Sequence, residues 1–123
     1  MDEKFLNSRE LQVLVDAAFA GCSRGLVANA RKIFDTICEI YPDYVAASVG
    51  KAFSHIVVDD FSVAEEILGR LLEKDSSNDD ARGFLALSKF LQKDQNALDE
   101  IMQQFADTSS NGYRLAQNLV SAG

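Results

Sequence analysis

Apolar residues in this chain recur at spacings of three and four almost everywhere, and strict alternation is nearly absent. The pattern predicts helices and no sheet. Asn7 with Glu10 offers a capping box ahead of Leu11, Leu14, Val15 and Ala18, so a first helix runs to about Gly21. Gly25 breaks the chain. A second helix carries Ala30, Ile33, Phe34, Ile37 and Cys38 and stops at Tyr41-Pro42. Asp43 is placed to cap a third, with Val45, Val49, Ala52, Phe53 and Ile56 on one face. Asp59-Asp60 ends it and starts a fourth, which holds Ala64, Ile67, Leu68, Leu71 and Leu72. Ser76-Ser77-Asn78 reads as a loop, with Asn78 capping a fifth helix through Phe84, Leu87 and Phe90. Asp94 caps a sixth with Leu98, Ile101, Met102 and Phe105. Ser109-Ser110 opens a seventh with Tyr113, Leu115, Ala116 and Leu119, in which Gly112 weakens the helical pattern. The short loops imply antiparallel neighbours.

One offset relates the helices to each other. Ile33, Ile67 and Ile101 stand 34 residues apart in turn. So do Ala30, Ala64 and Leu98; Phe34, Leu68 and Met102; and Ile37, Leu71 and Phe105. The odd-numbered helices keep the same offset through Ala18, Ala52 and Ala86 and through Phe19, Phe53 and Leu87. A helix–turn–helix unit of 34 residues is the tetratricopeptide spacing. The expected fold is all-α: a stack of three degenerate hairpins over about residues 11–106, closed by a solubilising seventh helix, as one domain over 1–123. The aromatic and Gly-Tyr positions of the repeat are not kept, and Pro42 alone stands at the helix-ending proline position.

In such a stack the first helix of each pair lines the concave side. Its columns read Val15, Val49 and Gly83; Phe19, Phe53 and Leu87; Cys22, Ile56 and Phe90; Ser23, Val57 and Leu91. The expected convex columns are Lys32, Glu66 and Glu100 beside Arg31, Glu65 and Asp99. An apolar groove rimmed by charge suits an amphipathic helix of a protein partner. The candidate protein-binding residues are Val15, Phe19, Val49, Phe53, Ile56, Phe84, Leu87 and Phe90. The alternative is that the seventh helix folds back over this stripe and makes it core.

Composition narrows the function classes. The 123 residues are 47% hydrophobic and 25% charged, as in a soluble globular protein. Twelve Lys+Arg against nineteen Asp+Glu leave a net charge of −7, which argues against a nucleic-acid binder working through phosphates. No apolar run reaches a membrane span, and Met1-Asp2-Glu3-Lys4 does not open a signal peptide, so a cytoplasmic location is expected. His55 is the only histidine and has no cysteine or carboxylate cluster at ligand spacing. It reads as a solvated or hydrogen-bonded helix residue, or as part of a partner surface. Asp59-Asp60 and Asp79-Asp80 lack the alternating ligands of a calcium loop and read as helix caps. No phosphate loop, nucleophile elbow or Ser/His/Asp set can be assembled. No enzyme activity, cofactor or metal is expected.

A short, acidic stack of about three degenerate hairpins with an apolar concave face resembles the type III secretion needle-protein chaperones, the tetratricopeptide-like YscG/PscG family, from about Leu11 to Leu119. The resemblance implies a bacterial cytoplasmic chaperone. It would hold the amphipathic helix of a needle subunit against Phe19, Val49, Phe53, Ile56 and Leu87. A small helical co-chaperone would sit on the first hairpin. Chaperones for the larger translocator proteins, and a general scaffold joining two proteins, are the other readings.

Cys22 and Cys38 lie sixteen apart on neighbouring helices and read as small buried packing or as a redox pair. If they only pack, Cys22→Ala with Cys38→Ala leaves the helical circular-dichroism spectrum intact. The double variant then costs about 1–2 kcal/mol, read from the denaturant midpoint. A wild-type midpoint that shifts on mild oxidation, with no shift in the double variant, would establish the redox pair instead.

Overall fold

A computed structural model describes residues 6–122. The opening stretch Met1 to Lys4, read above for a signal peptide, lies outside the described residues. Among the described residues the chain is all-α, a tetratricopeptide-like series of helical hairpins with a C-terminal helix. The helices are α1 (Ser8–Ser23), α2 (Val27–Ile40), α3 (Val45–Ile56), α4 (Phe61–Lys74), α5 (Asp79–Leu91), α6 (Gln95–Met102) and α7 (Asn111–Ala122). They form two compact units, Met1–Asp60 with α1 to α3 and Phe61–Gly123 with α4 to α7.

Most helix starts follow from local chemistry. The Asn7 side chain accepts from the Glu10 amide at 2.9 Å and Glu10 Oε1 accepts from the Asn7 amide at 3.0 Å, the expected capping box. Asn78 accepts from the Ala81 amide and Asp94 from the Ala97 amide. Ser110 Oγ accepts from the Tyr113 amide where α7 begins. Gly25 ends the first turn-around at φ 91, a conformation that costs glycine little. The third helix differs from expectation: Tyr44, not Asp43, is its N-cap, with no side-chain cap bond. Tyr44 instead donates its hydroxyl to Gln12 Oε1 at 2.9 Å, tying the start of α3 to α1. Asp60 stands immediately before α4, where the sequence places a cap. Asp59 takes φ 62, and the Asp60 carboxylate meets His55 Nδ1 at 3.0 Å, so His55 is a hydrogen-bonded helix residue.

The first unit packs α1, α2 and α3 around Leu11, Val15, Ala18, Cys22, Ala30, Phe34, Ile37, Tyr41 and Ala47. Phe34 is fully buried, and its ring occupies the space a side chain at Gly50 would fill, so α3 sits close on α2. Cys22 is buried in this core, and Cys38 is half-buried with its Sγ 3.7 Å from Ser48 Oγ. Both are free thiols. Burial raises the Cys22 thiol above its ordinary value, against a smaller opposing pull from Arg31.

In the second unit α5 packs on α4, α6 and α7. Its core gathers Ala86, Leu98, Ile101 and Ala116, with Leu85, Phe90, Met102 and Phe105 packed against them. The glycine that weakened the seventh helix in sequence turns out to make its packing possible. A Cβ on Gly112 would collide with the backbone of Asp79, and one on Gly83 with the backbone of Gly112. The repeat register is visible in burial: Ala18, Ala52 and Ala86 are all within 1% of fully buried, as are Ala64 and Leu98.

Gly112→Ala is expected to lower stability by about 2–3 kcal/mol through overpacking, a fall of roughly 10 °C in Tm. Gly69→Ala, in α4 with nothing within 4 Å of the added methyl, should be neutral or stabilising by up to about 1 kcal/mol. Thermal melts of both variants followed at 222 nm check the pair, and equal effects would refute the close crossing.

Candidate functional site

The structure distributes the eight candidate partner-binding residues between the units. In the first, Val15, Val49 and Ile56 are buried at 5% exposure or less, because α1 and α3 turn them inward. Phe19 and Phe53 are half-buried and stack at 5.5 Å between ring centroids, while Phe19 meets Phe34 edge-on at 5.3 Å. These rings join α1 to α3 and α2. In the second unit Phe84 and Leu87 are half-buried on α5, and Phe90 packs on the Ala86–Leu98 cluster. Gly83, read as lining an open concave column, lies under the α7 backbone. There the folding back of the seventh helix does occur.

The expected convex columns also change character. Arg31 is half-buried: its Nε donates to Ser54 Oγ at 3.0 Å and its Nη2 to the Ser54 carbonyl at 2.8 Å, across from α2 to α3. Glu65, 34 residues on, reaches from α4 to α5. Its carboxylate accepts from Ser88 Oγ at 2.6 Å, Lys89 Nζ at 2.9 Å and Gln92 Nε2 at 2.6 Å. Ser54 and Ser88 are themselves 34 apart and both fully buried. The same joint thus appears in each unit with the charge inverted, the serine accepting from a cation in one and donating to an anion in the other. Apolar periodicity could not show it. The signal available in sequence was the pair of serines at the repeat offset on otherwise buried helix faces.

Asp79 is the second polar feature that sequence reading misplaced. It is no cap, since Asn78 holds that position. Its side chain is 6% exposed and accepts from the amides of Ala106 at 2.9 Å and Asp107 at 2.7 Å and from Arg82 Nη1 at 3.0 Å. It ties the segment between α6 and α7 to the start of α5. Arg82 completes the tie by donating Nη2 to the Ser76 carbonyl at 2.7 Å and lying 6.0 Å from the centre of the Phe105 ring. Burial alone would raise the Asp79 carboxyl, but the two backbone amides and Arg82 outweigh it and hold it below its ordinary value. Glu65 behaves alike: burial opposes, and the Ser88, Lys89 and Gln92 donors keep its carboxyl low.

An apolar groove of about 600 Å³ lies on the first hairpin, lined by Leu6, Leu14, Ile33, Ile37, Ile40 and Tyr41 with Asn29, Lys32 and Thr36 along its α2 side. Leu14 and Ile40 are 36% and 40% exposed there. Among the described residues no group of His, Cys, Asp and Glu is arranged to hold a metal ion.

These features define a helical-hairpin repeat protein with an apolar groove on its first hairpin and buried polar groups that join its helices. The chain belongs to the coatomer epsilon subunit family, whose family model matches residues 11–121. No curated protein and no solved structure matches the chain. The family match overturns the resemblance to type III secretion chaperones, and with it the needle subunit, the small helical co-chaperone and the translocator-chaperone alternative. Size, acidity, repeat layout and an apolar face carried that resemblance, and none of them is specific to one family of hairpin repeats.

The lowered carboxyls set a pH dependence. As pH falls, the unfolded chain takes up these protons before the folded one. The stabilisation is therefore complete above the ordinary values of 3.8 for Asp79 and 4.5 for Glu65 and is lost as pH drops through the lowered folded values. Asp79→Asn should cost about 2 kcal/mol at neutral pH and flatten the acid limb of a stability–pH curve taken by urea melts. An acid limb as steep as that of wild type would refute the Asp79 tie.

Proposed function

We propose that this chain is a coat subunit of the coatomer epsilon kind, acting in the cytoplasm by binding other coatomer subunits through its helical hairpins. The observation that carries the reading is the extent of the family match. Residues 11–121 run from the first turn of α1 almost to the end of α7, so the likeness takes in every hairpin and not one shared motif. Charge supports a protein partner over direct adsorption to lipid: a net −7 is repelled by an anionic membrane surface. No helix among the described residues is long and apolar enough to cross a membrane. The role is structural, and the buried Arg31–Ser54, Glu65–Ser88 and Asp79–Arg82 joints serve it by holding the hairpins in fixed register.

The test is affinity capture of the tagged full chain from its own host, followed by mass spectrometry and reconstitution with the coatomer subunits recovered. Stoichiometric co-elution of coatomer subunits through size exclusion is the expected result. A host coatomer that assembles completely while this chain elutes apart from it would overturn the reading.

A further inference from the structure

The groove on the first hairpin combines an apolar seam with a pair of opposite charges. Along α2, Asn29, Ile33, Thr36 and Ile40 follow each other at steps of four, three and four, the seam spacing of paired helices. Lys32 and Glu39 stand seven residues apart on one flank of that seam, both exposed. Neither makes an ion pair among the described residues. Asp35, the other acid on that side, is already held by Lys51 at 3.0 Å. In a two-fold antiparallel pairing of α2 with another α2, side chains on one flank meet the same flank of the partner. Centred near Thr36, that pairing brings Ile33 to within one residue of the level of the second copy's Ile40 and Lys32 to within one residue of its Glu39, and the symmetry makes each contact twice. Leu6 and Leu14 of the first hairpin supply the remaining apolar wall, so the contact extends from a single helix pair to two hairpins face to face.

We propose that the groove is covered by a second copy of this chain, giving a homodimer through α1 and α2 with paired Lys32–Glu39 contacts. The charge complementarity selects this occupant. An unrelated helix would need an apolar face only, whereas a cation and an anion one heptad apart on the same flank are matched by the same helix run in reverse. A monomer could still enter the coat, so this proposal and the preceding one fail separately.

Sedimentation velocity of the full chain at about 100 µM, a concentration at which micromolar association is complete, decides it. The expected species has twice the 13.5 kDa chain mass. Lys32→Glu places like charges together twice and should weaken the dimer about tenfold. Adding Glu39→Lys to it should restore wild-type association. Ile40→Asp should weaken it a hundredfold or more, with circular dichroism confirming that the helices persist. If that variant loses helicity, the charge reversal and its rescue decide alone. A monomeric wild type overturns the proposal, whether the groove then proves to bind a helix of another coatomer subunit or is freed by removing residues 1–5. A dimer indifferent to the charge reversal overturns it as well.

Discussion

Everything in this fold depends on helices that come close where their side chains are smallest. Ala18, Ala47, Ala52, Ala64, Ala81, Ala86 and Ala116 are buried to within 1%. Gly50 leaves room for the whole Phe34 ring, and Gly83 and Gly112 let the backbones of α5 and α7 approach each other. Larger residues placed one turn away, such as Phe34 and Leu68, then fill what remains and are themselves fully buried. Interiors are packed to crystal density, so a single methyl at such a crossing has nowhere to go. The 34-residue period is this requirement repeated, with a small residue and its large neighbour returning each time the chain builds another hairpin.

A polar joint repeats with the same period, and it tolerates a reversal of charge. Serine makes that possible, because a hydroxyl both donates and accepts. Ser54 accepts from Arg31 in the first unit, and Ser88 donates to Glu65 in the second. Buried polar groups must be satisfied or they destabilise the fold. A hydroxyl at this place satisfies either charge, and the repeats can diverge in electrostatics while keeping their geometry. Asp79 has no counterpart in the first unit, where Val45, exposed, and Leu11, in the core, hold the positions one and two repeats earlier. Its task there is different, since the chain past α6 has to be drawn back so that α7 can reach α5.

The family assignment shows how little a greasy face and a hairpin repeat specify by themselves. An acidic chain of small helical hairpins is compatible with more than one family, because the same packing physics builds them all. What separates them is distributed over more than a hundred positions, and the coatomer epsilon match draws on that whole length. No local constellation could have replaced it, since the ionisable clusters here, His55 with Asp60, Glu65 with Lys89 and Asp79 with Arg82, are spent on holding helices and loops together.

The sequence by itself determined the seven helices, most of their caps and the register that buries Ala18, Ala52 and Ala86, because periodicity and capping act within a few residues and within one helix. It also marked the residues that could face a partner, but could not say which of them the fold would consume. Tertiary structure decided that Val15, Val49 and Ile56 turn inward, that Gly83 lies beneath α7, and that Arg31 and Glu65 leave the outer face to reach buried serines. Asp79 left the role of cap for that of a tie for the same reason. Each of these side chains took its partner from another helix or loop, and a contact made across 23 or 28 residues leaves no trace in the spacing of its neighbours.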